Sequence, residues 1–259
     1  MLKLIVTDLD RTLLRSDKTI SVYTAGVLRA CQQRGMKVAF ATARPVSACM
    51  KYADIVMPDA IISNGGAVAR AGEQIVYRAT MNIETTNKLL LRLTEFPSVG
   101  YITVSTENGY LVNKPVDESS PMWADYLPVR CVDMSRGLDC DSYSMAVEIL
   151  ESTTAQAVAS GLPDVLMTPF SGEDWYRYGN PEADKWNGVK ALAAYAGIDM
   201  KCVAAFGDDF NDIEMLKNCG IGVAVKNAID AVKAAADYIC DSNDNDGVAE
   251  WLTVNVLCE

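Results

Sequence analysis

Two aspartates stand two positions apart, Asp8 and Asp10, directly after the short apolar run Leu2 to Thr7. Like charges this close repel, so keeping both asks for a bound cation or for one carboxyl to stay protonated. A second acidic group, Gly207-Asp208-Asp209-Phe210-Asn211-Asp212, also ends an apolar run. Asp208 and Asp212 are four apart across a helix start and can share one face. Hard oxygen donors at this density suit Mg²⁺, which takes one or two carboxylates and keeps positions open for water or substrate. At Ala41-Thr42-Ala43-Arg44-Pro45 a hydroxyl and a guanidinium sit where a strand runs into a helix, an arrangement that favours an anion. Lys185 opens a helix, where a cation works against the dipole, so it wants another reason to be there, such as a phosphoryl group. Each group also has an ordinary reading when taken singly: acidic loop residues, helix caps at Asp209, Asn211 or Thr42, a surface lysine.

Composition narrows the chemistry further. The 259 residues include no histidine, which removes Ser-His-Asp and Cys-His catalysis, histidine-ligated zinc or haem, and a phosphohistidine carrier. Acid–base work near neutrality then falls to carboxylates, Lys, Tyr, Cys or a metal-bound water. The formal charge of −11 disfavours a nucleic-acid partner, which is held mainly by cations on phosphates. No basic amphipathic face and no apolar run of about 18 residues argues for a membrane. The eight cysteines form no CxxC pair, and the first residues run into Asp8 without a leader-like apolar stretch. Both features fit a reducing cytoplasm.

The elements that must position these residues read as an α/β fold. Apolar runs at 2–7, 37–42 and 60–63 alternate with helical patterns, one capped by Ser21 and ending at Gly35, the next opening at Pro45. Such alternation implies a parallel, Rossmann-like sheet with right-handed crossovers. From residue 81 the pattern changes to an amphipathic helix at 82–96 and a hairpin at 99–113 around Glu107-Asn108-Gly109. Further strands at 144–150, 165–170 and 174–178 follow, with a helix near 152–160. The alternation returns after Pro181, with strands at 203–207, 221–225 and 238–240 and helices at 185–196, 209–218, 228–236 and 247–257. Residues 1–80 and 180–259 therefore read as one discontinuous α/β core and 81–179 as an inserted α+β cap domain. The insert carries six basic and fourteen acidic residues, so most of the net charge lies there. Such a segment is not built to hold a second polyanionic group, although solvated surface charge is the plainer reading. Trp175, Tyr176, Tyr178 and the Asn108-Gly109 turn lie near segments that could face the site, though aromatics are more often core.

The four groups together, in this order, resemble the haloacid dehalogenase-like phosphatases, and most closely the Cof-type subgroup with its large α/β cap. The family's first motif, DxDGT, corresponds to Asp8-Leu9-Asp10-Arg11-Thr12. Its second, a Ser or Thr at a strand end, corresponds to Thr42, its third to Lys185, and its GDxxND motif to the run from Gly207 to Asp212. Ser63-Asn64-Gly65-Gly66, Asn227-Ala228 and Asp246-Gly247-Val248-Ala249 also match the subgroup. The resemblance implies a phosphomonoester hydrolase of a small phosphorylated metabolite, a sugar or polyol phosphate. Asp8 is then the nucleophile that forms an aspartyl phosphate, and Asp10 the acid and later the base. Asp8, the Asp10 carbonyl and Asp208 hold Mg²⁺ with Asp212 in support, while Thr42, Arg44, Lys185 and Asn211 bind the phosphoryl group. A phosphotransferase or mutase would use the same intermediate, and a receiver-type phosphoacceptor module joins Asp, Thr and Lys around Mg²⁺ without turnover. Two positions depart from the pattern. Arg11 stands where the family has Gly, a costly exchange if φ must be positive there. Val225-Lys226 replaces a frequent Met-Gly before Asn227.

Overall fold

The computed structural model describes residues 1–258. The chain opens with β1 (Leu4–Thr7), α1 (Val22–Gln33), β2 (Lys37–Ala41), α2 (Met50–Val56), β3 (Ala60–Ser63), β4 (Val68–Ala71) and β5 (Gln74–Arg78). The insert then supplies α3 (Ile83–Thr94), β6 (Val99–Thr106), β7 (Gly109–Val112), β8 (Val129–Cys131), β9 (Ser144–Ile149), α4 (Ser152–Ala159), β10 (Leu166–Pro169) and β11 (Trp175–Gly179). The chain closes with α5 (Lys185–Ala196), β12 (Val203–Gly207), α6 (Ile213–Asn218), β13 (Ile221–Ala224), α7 (Asp230–Ala235), β14 (Tyr238–Ile239) and α8 (Gly247–Leu252).

Eight strands form one sheet in the order β14-β13-β12-β1-β2-β3-β4-β5. The six strands from β14 to β3 are parallel, and β4 and β5 extend the edge as an antiparallel hairpin that the sequence pattern does not announce. β1 and β12 are buried at every position, as strands covered on both faces must be. The helices pack as two groups, α1 with α2 and α8, and α5 with α6 and α7. Thr7 pairs with Phe206 on one side and Phe40 on the other, so Asp8, Asp208 and Thr42 all emerge at the same carboxyl edge. Ligands of open α/β sheets bind at that edge.

The insert forms a separate six-stranded sheet in the order β10-β11-β9-β6-β7-β8. The period of two along its strands separates two faces. Met145, Val147, Ile149, Val104 and Tyr178 join α3 and α4 in a second hydrophobic core. Ser144, Ala146, Thr103, Trp175 and Arg177 face a cavity against the first sheet. All eight cysteines are free thiols. Among the described residues no helix is long and apolar enough to cross a membrane.

The second helix begins later than the sequence pattern suggests. Pro45 is extended, Val46–Cys49 form a 3-10 turn, and α2 starts only at Met50. Thr42 and Arg44 therefore sit on a loop, not at a helix N-terminus, and no helix dipole helps them hold an anion.

Gly66 joins the two halves of the core. Its φ is +102°, and a Cβ there would lie 2.1 Å from the Asp184 carbonyl carbon, the residue that caps α5. Gly66→Ala is expected to lower unfolding stability by about 2–3 kcal/mol through overpacking and backbone strain, read from urea denaturation at unchanged m.

Candidate active site

The site is assembled at the carboxyl edge of the first sheet. The β1 carboxyl end continues into a tight turn over Leu9–Leu13, kinked at Asp10 (φ −67°, ψ 127°) and Arg11 (φ 59°, ψ 4°). The kink sends the two aspartates into different surroundings. Asp8 is 6% exposed and its Oδ1 accepts from Lys185 Nζ at 2.7 Å. The same ammonium donates to Asp212 Oδ1 at 2.6 Å. Lys185 is the first residue of α5 and is itself buried, which answers why a cation opens that helix. Burial works against its charge, but Asp212 and Asp8 more than compensate and hold its pKa above the ordinary lysine range.

Asp212 is fixed from its other oxygen, which accepts the backbone N–H groups of Asp208 and Asp209 at 2.9 and 3.1 Å. Asp208 accepts from Thr12 Oγ1 at 2.8 Å. Burial first, then the Asp212 charge, pushes the Asp208 carboxyl up from 3.8 to about 7. Asp8 is likewise raised, by burial against the pull of Lys185, with Asp212 and Asp208 adding to the rise. One oxygen from each of Asp8, Asp208 and Asp212 lies within 4.8 Å of the others. Three buried carboxylates share one buried ammonium, which leaves the trio two negative charges from neutrality. A small divalent cation with a taste for oxygen donors, such as Mg²⁺, matches that deficit in both charge and chemistry.

Asp10 is placed apart from this trio. Arg44 holds it bidentately, Nε to Oδ2 at 2.6 Å and Nη2 to Oδ1 at 2.8 Å, and Lys18 Nζ adds a contact to Oδ1 at 2.8 Å. Burial opposes the charge, yet Arg44 and Lys18 outweigh it and hold this carboxyl well below its usual range. Arg44 turns its Nη1 to Asp125 of the insert at 2.7 Å, where Tyr52 and Lys51 also converge. Thr42 is buried, and its Oγ1 accepts the Arg44 N–H at 3.2 Å.

A cavity of about 370 Å³ opens between the sheet edge and the insert, and Asp8, Asp10, Thr42, Arg44, Asp208 and Asn211 all line it. Lys185 and Asp212 lie behind Asp8. The far wall is aromatic: Tyr110, Trp123, Tyr126, Phe170 and Trp175. Of these only Trp175 stands among the aromatic candidates of the sequence. Tyr176 and Tyr178 point to the insert's own core, as strand parity requires. Asn227 donates its Nδ2 to the Arg11 carbonyl at 2.7 Å and accepts from Asn243 N at 3.0 Å, so it braces the turn after Asp10. Arg11 does adopt a positive φ, at a cost of about 1–2 kcal/mol relative to a relaxed conformation. Sequence reasoning missed Lys18, Asp125 and Glu173, because each enters the cavity from an irregular segment without periodicity.

Comparison with known proteins places the chain as a whole. The profile of the family described as haloacid dehalogenase-like hydrolase matches residues 5–252. A phosphoglycolate phosphatase of Methanopyrus kandleri is 27% identical over 254 residues, covering 97% of this chain and 96% of its own. A 5-amino-6-(5-phospho-D-ribitylamino)uracil phosphatase of Bacillus subtilis is 28% identical, covering 96% of both chains. In fold, the chain is similar to a HAD subclass IIB sugar phosphatase, with a TM-score of 0.87 at 24% identity over 97% of this chain and 98% of that one. SMU.1108c of Streptococcus mutans gives a TM-score of 0.88 at 24% identity, with complete coverage of both chains.

The raised carboxyls set a pH dependence for the metal-free protein. A carboxyl with a higher pKa folded than unfolded contributes stability below the unfolded value and loses it as pH rises through the folded one. In EDTA, stability is expected to fall between pH 4 and about 7, following the shift of Asp208. Added Mg²⁺ restores it, as a thermal-shift series at fixed ionic strength would record.

Proposed function

The chain belongs to the haloacid dehalogenase-like hydrolases and is a phosphatase, and we propose that it hydrolyses a small phosphorylated metabolite, a sugar or polyol phosphate, through an aspartyl phosphate on Asp8 with Mg²⁺ as cofactor. The observation that carries the reading is the buried Lys185 ammonium held between Asp8 and Asp212 beneath a cavity whose mouth carries Asp10. Residues 1–80 and 180–259 act as the catalytic core, and 81–179 as the cap that encloses the leaving group.

Asp8 attacks phosphorus with one carboxylate oxygen, forming a P–O bond as the bond to the leaving oxygen breaks. Asp10 gives its proton to that leaving oxygen. As a carboxylate it then takes a proton from the water that attacks the phosphoryl group and frees Asp8. The pairing of Asp10 with Arg44 and Lys18 corresponds to the second, basic form. Thr42 and Asn211 bind phosphoryl oxygens from the cavity wall, and Arg44, whose Nε, Nη1 and Nη2 each hold an aspartate, contributes through its remaining N–H groups. Lys185 keeps one ammonium hydrogen beyond its two carboxylate contacts and offsets charge on the transferring group. Asp8, Asp208 and the Asp10 carbonyl would hold Mg²⁺, with Asp212 in support, and the cation would screen the anionic nucleophile from the phosphoryl oxygens.

The cavity size supports a small substrate, within the usual range of about 300–1,000 Å³. Its aromatic wall offers flat apolar surface to the C–H faces of a sugar or polyol. The names of the two curated relatives, both phosphatases of small phosphorylated metabolites, support the same class.

The test is phosphate release from p-nitrophenyl phosphate and a sugar-phosphate panel, with Mg²⁺ and with EDTA. Asp8→Asn is expected to lower kcat by at least about 10³-fold, in a protein that still folds because Lys185 keeps Asp212 as partner, and EDTA to abolish turnover. Turnover that survives Asp8→Asn would remove the nucleophile assignment. Transfer of phosphate to a second sugar with little release to water would instead indicate a phosphotransferase.

A further inference from the structure

Position 11 combines a strained backbone with a side chain that leaves its own part of the fold. Arg11 holds φ at +59°, and its surroundings fix it there: Asn227 grips its carbonyl, and the neighbouring Thr12 bonds Asp208. From this turn the guanidinium crosses to the insert, where Nη1 donates to the Ser171 carbonyl at 3.2 Å. The N–H of the same Ser171 donates to Asp209 Oδ2 at 2.9 Å. Both polar groups of one backbone residue, in the turn between β10 and β11, are thus held by two core side chains on either side of Asp208. That turn carries Phe170 and Glu173 to the cavity. The remaining contact of the guanidinium, 3.7 Å from Nε to Asp208 Oδ2, is long, and the side chain is 44% exposed, so ion pairing alone does not account for the residue.

We propose that Arg11 is a positioning residue: together with Asp209 it clasps Ser171 and holds the cap turn closed over the Asp8–Asp10 site. Glycine at this position would relax the backbone but could not span the gap. Strain that persists where the fold over-determines it is a mark of functional use, and the span from core to cap supplies that use. The kinetic consequence rests on the phosphatase reading, whereas the clasp itself does not.

Two variants separate the backbone from the side chain. Arg11→Gly removes both the guanidinium and the strain, and Arg11→Ala removes only the guanidinium. Hydrogen–deuterium exchange is followed at the Ser171 amide, Tm by calorimetry, and kcat and KM with p-nitrophenyl phosphate and Mg²⁺. In both variants the Ser171 amide is expected to exchange about tenfold faster while amides of the parallel sheet do not change. KM is expected to rise about tenfold with kcat within about threefold, because an open cap dilutes the binding-competent state. Tm should rise in Arg11→Gly and not in Arg11→Ala. Unchanged Ser171 exchange in both variants overturns the clasp, as does a fall in Tm in both with KM unchanged. A wild-type protein without turnover of p-nitrophenyl phosphate would defeat the phosphatase reading, and amide exchange would still decide the clasp.

Discussion

The interaction on which the rest depends is the Lys185 ammonium buried between Asp8 and Asp212. An unpaired charge at that depth would cost several kcal/mol, so each partner must arrive in place before any of them is tolerable. That requirement explains close approaches elsewhere in the core. A Cβ on Gly207 would lie 2.4 Å from the Asp212 Cβ, and one on Gly188 would lie 2.6 Å from Ile62 Cγ2. Gly207 lets Asp212 fold back against β12 and Gly188 lets α5 sit against β3, so that Lys185 can donate to Asp8, 177 positions away in sequence. The fold is organised to bring one cation to the foot of one carboxylate.

Around that contact, two aspartates from one turn acquire opposite tendencies. Asp8 is raised by burial beside Asp212 and Asp208, and Asp10 is lowered because Arg44 and Lys18 overcome its burial. As it stands this split leaves Asp10 ionised, the form that takes a proton from water, while a cation beside Asp8 would favour the carboxylate that nucleophilic attack needs there. The division depends on the backbone kink at Asp10 and Arg11, since a regular turn would leave both carboxylates in one field. Asn227 belongs to this arrangement from a distance, by bracing the Arg11 carbonyl. The Val225-Lys226 departure beside it leaves that brace intact.

Much of this was legible because strand ends are. Apolar runs bounded by Asp8, Thr42 and Asp208 mark parallel strands, and parallel strands align their carboxyl ends whatever the loops do. Lys185 was legible through its conflict with a helix dipole. The late start of α2 was not, since nothing local distinguishes a 3-10 turn after Pro45 from a first helical turn. Nor was the cavity wall. Trp123, Asp125 and Tyr126 lie in a stretch without periodicity, and their approach to Arg44 and Tyr110 is a product of tertiary packing alone. Parity could have split Trp175 from Tyr176 and Tyr178, given the strand register. The β4–β5 hairpin extends a parallel sheet in the antiparallel sense, which the alternation of strands and helices conceals.

The charge of the insert acquires meaning only once its side chains are placed. Two of its acidic residues, Asp125 and Glu173, reach the cavity, along with a single insert cation, Arg177. Asp125 is occupied by core donors, and Arg177 commits Nη2 to the carbonyls of Asn64 and Ala183. Burial lowers the Arg177 pKa to about 10, so the fold already works against its charge. The core cations at the cavity, Lys18, Arg44 and Arg11, are engaged by Asp10, Asp125 and Ser171. A leaving group bearing a second phosphate would therefore meet the Glu173 carboxylate and aromatic carbon, with Arg177 the single insert cation nearby, its Nη2 committed and its buried Nε without a partner. On the proposed phosphatase reading, this mostly acidic and aromatic insert wall suits a substrate whose charge resides in its one phosphoryl group and whose remainder is neutral and lies against Trp175 and Tyr126.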